Sequence, residues 1–175
     1  MRTYLAVIVF LLLFSNLSAR AEQIIPVNSE LCFDVAGISN ANGAQVQQWD
    51  CIGTQNQNWV IRESSAGHQL YEIRPSHVSN KCLDVSEGSH ANGAKVQQWD
   101  CHGGTSQQFF REYRQMDANS FPVSCTGFAT CRPRVRLRNV SSSKCLEISE
   151  GSIMTGAKVQ QWDCHGGTNQ QFYLK

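Results

Sequence analysis

Three carboxylates in this chain each stand fifteen residues ahead of a tryptophan: Asp34 before Trp49, Asp84 before Trp99 and Glu147 before Trp162. A glutamine sits two residues before each tryptophan, as Gln47, Gln97 and Gln160. A carboxylate, an amide and an indole together suit a sugar. The C–H face of a sugar ring is apolar and can lie on an aromatic face. Its hydroxyls need fixed acceptors and donors. A carboxylate can accept from two neighbouring hydroxyls in charge-assisted bonds, and an amide both donates and accepts. The alternative is that the tryptophans are core residues and the carboxylates belong to turns or caps. A second aromatic recurs ten residues after each tryptophan, as Trp59, Phe109 and Phe172. One set can fill a core and leave the other for a ligand, but the spacing alone does not say which.

These residues belong to a repeat. Aligned on Cys32, Cys82 and Cys145, the stretches 32–59, 82–109 and 145–172 run without a gap. Copies two and three share 22 of 28 residues, and copies one and two share 16. "GAKVQQWDCHGGT" occurs twice, and "GAQVQQWDC" starts at Gly43. Gln57, Gln107 and Gln170 mark the far end of each copy. A unit of about 50 residues cannot bury a face alone, so the copies must pack on one another. The segments are short, β-branched or aromatic, and broken by Gly, Asn and Ser. No helical period persists, so strands and turns are expected. The implied architecture is a closed all-β body with pseudo-threefold symmetry built from three homologous repeats, roughly 22–68, 69–116 and 117–175.

The eight cysteines point to disulfides in an exported chain. Identical units should carry identical bridges, which favours Cys32–Cys51, Cys82–Cys101 and Cys145–Cys164. Cys125 and Cys131 then close a small loop in the extra residues between copies two and three. If both cysteines of a copy lie opposite each other on adjacent antiparallel strands, Asp34 faces Trp49, Asp84 faces Trp99 and Glu147 faces Trp162. Alternation puts the paired glutamine on the same side. A zinc site is not expected, since no C-x-x-C pair exists and the histidines lack finger spacing. No cofactor is expected.

The chain opens with Arg2, an apolar run from Leu5 to Phe14, and Ala19-Arg20-Ala21 ahead of Glu22. This is the layout of a secretory signal peptide over residues 1–21. The run is too short to span a bilayer, and nothing later could do so. Without that segment Lys plus Arg falls from 15 to 13 while Asp plus Glu stays at 14, a net charge of −1. A general nucleic-acid binder needs an electropositive footprint, so that class is not expected.

The "CFDV…VQQWDC…NQNW" pattern resembles the ricin B-type lectin repeat with its Gln-x-Trp signature. Copies two and three end in "SQQF" and "NQQF", with Phe in place of the signature Trp. The resemblance covers essentially the whole mature chain. It implies a β-trefoil of twelve strands, and sugar binding without a metal. It implies a site in copy one of Asp34, Gln47, Trp49, Asn56 and Gln57. Copy two supplies Asp84, Gln97, Trp99 and Gln107, with Ser106 in place of the Asn. Copy three supplies Glu147, Gln160, Trp162, Asn169 and Gln170. Its Glu for Asp should carry the carboxylate beyond good hydrogen-bond reach. The terminal Gln of each set acts more as a support than as a contact. The expected ranking is copy one, then two, then three. His102 and His165 either touch a ligand's rim or sit in a solvated turn.

Glycans or glycoconjugates are thus the expected partners. An enzyme is not expected: glycosidases need two carboxylates about 5–10 Å apart across one bond, whereas this repeat spreads one carboxylate per copy. The rival function is a receptor-binding or docking subunit of a multicomponent toxin or secreted complex. Its candidate surface is the alternating row Arg132, Arg134, Arg136 and Arg138, which could hold sulfated or sialylated glycans or an acidic protein partner. The alternative for that row is a solvated strand. Asn139-Val140-Ser141 forms a glycosylation sequon.

Overall fold

The computed structural model describes residues 20–67, 69–113 and 133–175. Most of the expected signal peptide, Cys125, Cys131 and Arg132 lie outside the described residues. Each copy contributes four strands. Copy one forms β2 (Ile24–Pro26), β3 (Cys32–Val35), β4 (Val46–Trp49) and β5 (Trp59–Glu63), preceded by β1 (Ala21–Glu22). Copy two forms β6 (Leu70–Pro75), β7 (Lys81–Val85), β8 (Val96–Asp100) and β9 (Phe109–Tyr113). Copy three forms β10 (Arg134–Asn139), β11 (Cys145–Ile148), β12 (Val159–Trp162) and β13 (Phe172–Leu174).

The first and last strands of the copies close a barrel through the pairs β5–β6, β6–β9, β9–β10, β10–β13 and β13–β2. β1 supplies the last seam by pairing with β5. Only Gln23 separates β1 from β2, so the two are halves of one strand, and the twelve expected strands become thirteen segments. The register repeats in every copy. Trp59 lies opposite Glu22 and Pro75. Phe109 lies opposite Tyr71 and Asn139. Phe172 lies opposite Val135 and Pro26. The middle strands form three antiparallel hairpins, β3–β4, β7–β8 and β11–β12, which cap one end of the barrel. This is a β-trefoil.

The core follows the same symmetry. Phe33, Leu83 and Leu146 form one buried set, Val35, Val85 and Ile148 a second, and Val46, Val96 and Val159 a third. Trp59, Phe109 and Phe172 are fully buried, so the later aromatic of each copy is the core residue. Trp59 also donates its indole N–H to the Phe33 carbonyl at 3.1 Å, a bond the two phenylalanines cannot make.

The second glutamine of each "QQW", which alternation places on the other side of the strand, ties the copies together. Gln48, Gln98 and Gln161 are fully buried rather than exposed. Gln48 donates to the carbonyls of Ser152 and Met154 in copy three. Gln98 donates to Ser39 and Ala41 in copy one. Gln161 donates to Ser89 and Ala91 in copy two. The three form a closed ring of interlocks. A glycine of each loop turns under the neighbouring hairpin: Gly43, Gly93 and Gly156 have φ near +80° (82°, 79° and 81°). Their amides donate to the carbonyls of Gln98, Gln161 and Gln48.

Two junctions carry a further cluster. Asn42, Asp100 and Lys81 bond to one another between copies one and two, and Asp163 accepts from both Asn92 and Lys144 between copies two and three. Leu31 and Thr155 stand in the corresponding lysine and asparagine positions at the third junction, so it cannot form. Hydrogen bonds from Lys81 and Asn42 hold the Asp100 carboxyl below its ordinary pKa, and Lys144 and Asn92 do the same for Asp163. Their contribution is present at neutral pH and is lost as pH falls through those lowered values.

Asn139 is fully buried in the β10 register. Its amide donates to Ser106 and Gln108, and its oxygen accepts from Ser141 and Ser142. The folded chain therefore leaves no free amide at the sequon for a glycan.

Gln45 shows why copy one departs from "GAKV". Its amide donates to the carbonyls of Val46, Val96 and Val159, one from each copy, so it sits on the pseudo-threefold axis. Lys95 and Lys158 hold the equivalent positions and are exposed. Gln45→Lys would crowd three ammonium groups around one axis and remove a partner from three carbonyls. Chemical denaturation should show a loss of about 1–3 kcal/mol, and an unchanged midpoint would contradict this role.

Candidate functional site

Each site is built where a hairpin meets the turn that follows its second cysteine. The disulfides are Cys32–Cys51, Cys82–Cys101 and Cys145–Cys164, as the repeat favours. The expected register is off by two residues, however. Cys32 lies opposite Trp49 and Asp34 opposite Gln47. The same holds for Cys82 with Trp99 and Asp84 with Gln97, and for Cys145 with Trp162 and Glu147 with Gln160. The second cysteine lies past this ladder and folds back to make its bridge. The carboxylate therefore faces the amide directly and the indole diagonally, all on one side of the hairpin.

In copy one Asp34 is 5% exposed. Its Oδ1 accepts from Gln47 at 3.1 Å, and its Oδ2 accepts from Asn56 at 2.7 Å and Gln57 at 3.1 Å. Asn56 also donates to the Val35 carbonyl at 3.0 Å. Gln57 is fully buried and acts as a brace: it accepts from the Ile52 amide and donates to the Asp50 carbonyl, holding the turn after the disulfide. Gln107 and Gln170 brace their turns in the same way, through His102 with Asp100 and His165 with Asp163.

Copy two is the loosest. Asp84 accepts from Gln97 at 3.1 Å and from the Ser106 hydroxyl at 3.2 Å. Ser106 is too short to make the second bond that Asn56 makes. Copy three departs from expectation in the opposite sense. Glu147 keeps the whole amide set, with Gln160 at 2.9 Å, Asn169 at 3.3 Å and Gln170 at 2.9 Å. The extra methylene is absorbed without loss of those partners. Glu147, Glu150, Gly151, Gln160, Trp162, His165 and Asn169 line an open cavity of about 350 Å³, at the lower end of small-ligand sites.

Trp49, Trp99 and Trp162 are each 40% exposed, so one side of each indole is open. The indoles reach the next copy's loop: a Cβ built on Gly156 would lie 3.6 Å from Trp49, on Gly43 3.8 Å from Trp99, and on Gly93 3.7 Å from Trp162. The histidines are not merely turn residues. His165 Nε2 lies 3.2 Å from Glu147 and His102 Nε2 3.5 Å from Asp84. Copy one has Ile52 there, 65% exposed. The residue after the second cysteine was legible in the sequence, but its carboxylate partner, eighteen residues earlier, was not.

The arginine row is only partly free. Arg134, Arg136 and Arg138 project from the outer face of β10. Arg136 and Arg138 share Glu112 of β9 at 2.6 and 2.5 Å. Burial raises the Glu112 pKa, but the hydrogen bonds from Arg138 and Arg136 outweigh it and leave the carboxyl below its ordinary value. Arg138 lies over Phe110 and Arg134 over Tyr173. Among the described residues the one cluster of metal-ligand types joins Glu72 to Cys82 and Cys101, and those two cysteines form a disulfide. No helix among the described residues is long and apolar enough to cross a membrane.

Asp34→Ala should leave the amides of Gln47, Asn56 and Gln57 without their shared acceptor. Urea denaturation should show a loss of about 1–3 kcal/mol, with a smaller loss for the half-open Trp49→Ala. Equal losses would contradict the division between brace and open face.

The model of the ricin-type beta-trefoil lectin domain-like family matches residues 14–99, 67–131 and 121–175. Among solved structures, the designed threefold-symmetric protein ThreeFoil is 29% identical with a TM-score of 0.73, over 88% of this chain and 96% of that one. A Macrolepiota procera ricin B-like lectin in complex with lactose is 19% identical with a TM-score of 0.65, over 90% of this chain and 95% of that one. An exo-beta-1,3-galactanase from Clostridium thermocellum is 24% identical with a TM-score of 0.73, over 89% of this chain and only 30% of that enzyme. A repeat matched in three segments and a trefoil closed by the same threefold register place this chain in the ricin-type β-trefoil lectin family.

Proposed function

We propose that the protein is a secreted, non-enzymatic lectin that binds galactose-type or related glycans at up to three sites without a metal. The observation that carries this reading is the half-open indole beside a buried, amide-braced carboxylate, repeated in each copy. Asp34 and Asp84 are the chief acceptors, Trp49, Trp99 and Trp162 the stacking faces, and Gln47, Gln97, Gln160, Asn56 and Asn169 the amides that orient them. The matched Macrolepiota lectin holds lactose on the same fold, which supports a galactoside as first probe. Each copy buries one amide-braced carboxylate beside its open indole, and Glu150, the other carboxylate at the copy-three cavity, is exposed, which supports binding rather than hydrolysis. The leader-like start of the sequence supports secretion, and the disulfides fit an oxidising compartment. Single shallow sites are weak, and three on one rigid body gain by avidity on branched or clustered glycans.

The docking reading rests on the arginine row, and Glu112 already engages two of its members. Glu112→Gln should therefore increase retention on a sulfated-glycan column, and rising salt should abolish that gain while leaving galactoside binding nearly unchanged. Equal salt sensitivity of both would contradict the separation.

A glycan array should show galactosides bound by the wild type, with the signal reduced for Trp49→Ala. No signal on any glycan would overturn the lectin reading in favour of docking, and detected hydrolysis would revive an enzyme.

A further inference from the structure

Resting on the lectin reading, the three sites differ in what borders them. In copy three, Glu150, Gly151 and His165 line the cavity beside Trp162. The repeat puts Gly37, Ile38 and Ile52 in those positions in copy one. Copy two follows copy three, with Glu87, Gly88 and His102. The charged and polar border of two copies is thus replaced in the first by two isoleucines. Neither is packed away: Ile38 is 56% exposed and Ile52 65%. Eight large apolar side chains are exposed among the described residues, and three of them, Ile38, Trp49 and Ile52, belong to this one site. Two more, Ile153 and Met154, are on the copy-three loop that is bonded to β4. There the Gly156 amide donates to the Gln48 carbonyl, and the Gln48 amide to the Met154 carbonyl, both at 2.8 Å.

Ile38 also holds a backbone conformation that its side chain disfavours. Each copy puts two successive residues of this turn in the left-handed region. Copies two and three place Glu then Gly there, with φ of 57° and 60° at Glu87 and Gly88 and of 57° and 63° at Glu150 and Gly151. Copy one reverses the order, with Gly37 at 65° and Ile38 at 53°. A β-branched residue at positive φ is a clear outlier, because its Cβ crowds the following carbonyl. Glycine would form the turn more easily, as it does in the other two copies. Packing does not account for the isoleucine, since most of its surface is in solvent. Strain of this kind concentrates where a ligand is held. An apolar group beside a sugar on Trp49 leaves water against Ile38 and Ile52, whereas in copies two and three it would strip water from a carboxylate and an imidazole. We infer that copy one selects a galactoside carrying an apolar aglycone, alkyl or aryl, seated on Ile38 and Ile52. Copies two and three take the sugar without regard to that group.

The test isolates copy one in the full chain with Trp99→Ala and Trp162→Ala, and compares methyl β-galactoside with butyl β-galactoside. The butyl glycoside should bind about four- to fiftyfold more tightly, the worth of one to three methylenes leaving water. Adding Ile38→Gly and Ile52→Ser should bring that ratio close to one. A Trp49→Ala chain, which keeps copies two and three, should also show a ratio close to one. Ile38→Gly alone should leave the thermal midpoint level or higher, since glycine suits the turn. Phosphatidylcholine vesicles carrying galactosylceramide separate the sources of the aglycone. Sedimentation with them that the two isoleucine substitutions reduce makes it a lipid, and no sedimentation makes it a soluble glycoside. A copy-one chain that binds both glycosides equally overturns the proposal. So does a preference that survives Ile38→Gly with Ile52→Ser, or one equally strong in the Trp49→Ala chain. A lowered midpoint for Ile38→Gly assigns that residue to the fold and overturns its role. A wild-type chain that binds neither galactoside overturns the lectin reading instead.

Discussion

A carboxylate almost wholly removed from water is the constraint on which each copy is organised. A buried charge without partners costs several kcal/mol, and partners make it tolerable only when their geometry is good. In copy one those partners come from two places: Gln47 on the facing strand, and Asn56 with Gln57 in the turn beyond the disulfide. Satisfying Asp34 therefore fixes the hairpin register and seats the turn. The disulfide holds the hairpin and the start of that turn together. What remains for solvent is the indole, left with an open face because the core position is taken by Trp59. Site and fold are thus one arrangement, so a change to the carboxylate should disturb both while a change to the open indole disturbs mainly one.

The near-identity of the copies has a second physical source. Gln48, Gln98 and Gln161 each reach into the loop of a neighbour, and Gly43, Gly93 and Gly156 turn beneath the neighbouring hairpin. A residue in "GAKVQQWDC" therefore serves its own copy and the next one around the ring. Departures from the repeat occur where symmetry itself is the problem. On the axis, Gln45 takes the place of a third lysine. At the junction of copies three and one, the Asn–Asp–Lys cluster is missing and Asn28 instead donates to Gly151 and Ser152.

Much of this was legible in the residues. Equal offsets predicted three equal units and their disulfides, and the turn-rich composition predicted strands. The facing pairs were misplaced by two positions because a disulfide need not join residues that oppose each other in a ladder. Cys51 lies beyond β4, and nothing in its spacing says so. The buried second glutamines were missed because their partners are carbonyls of other copies, 106 residues away for Gln48 and Met154. Glu147 looked too long for its site, but a hydrogen-bonding set assembled from three segments can shift together. Ser106 makes one bond to Asp84 where Asn56 makes two contacts, since a hydroxyl has one proton and an amide has two.

The central claim is that the three open indoles, and not the buried one, meet the ligand. The most direct measurement is a lactose titration followed at the four indole N–H resonances of the native chain. The account predicts shifts at Trp49, Trp99 and Trp162. Trp59, buried and bonded to Phe33, should stay in place. Shifts at Trp59 as large as at the others, or a titration that moves none of the four, would contradict it.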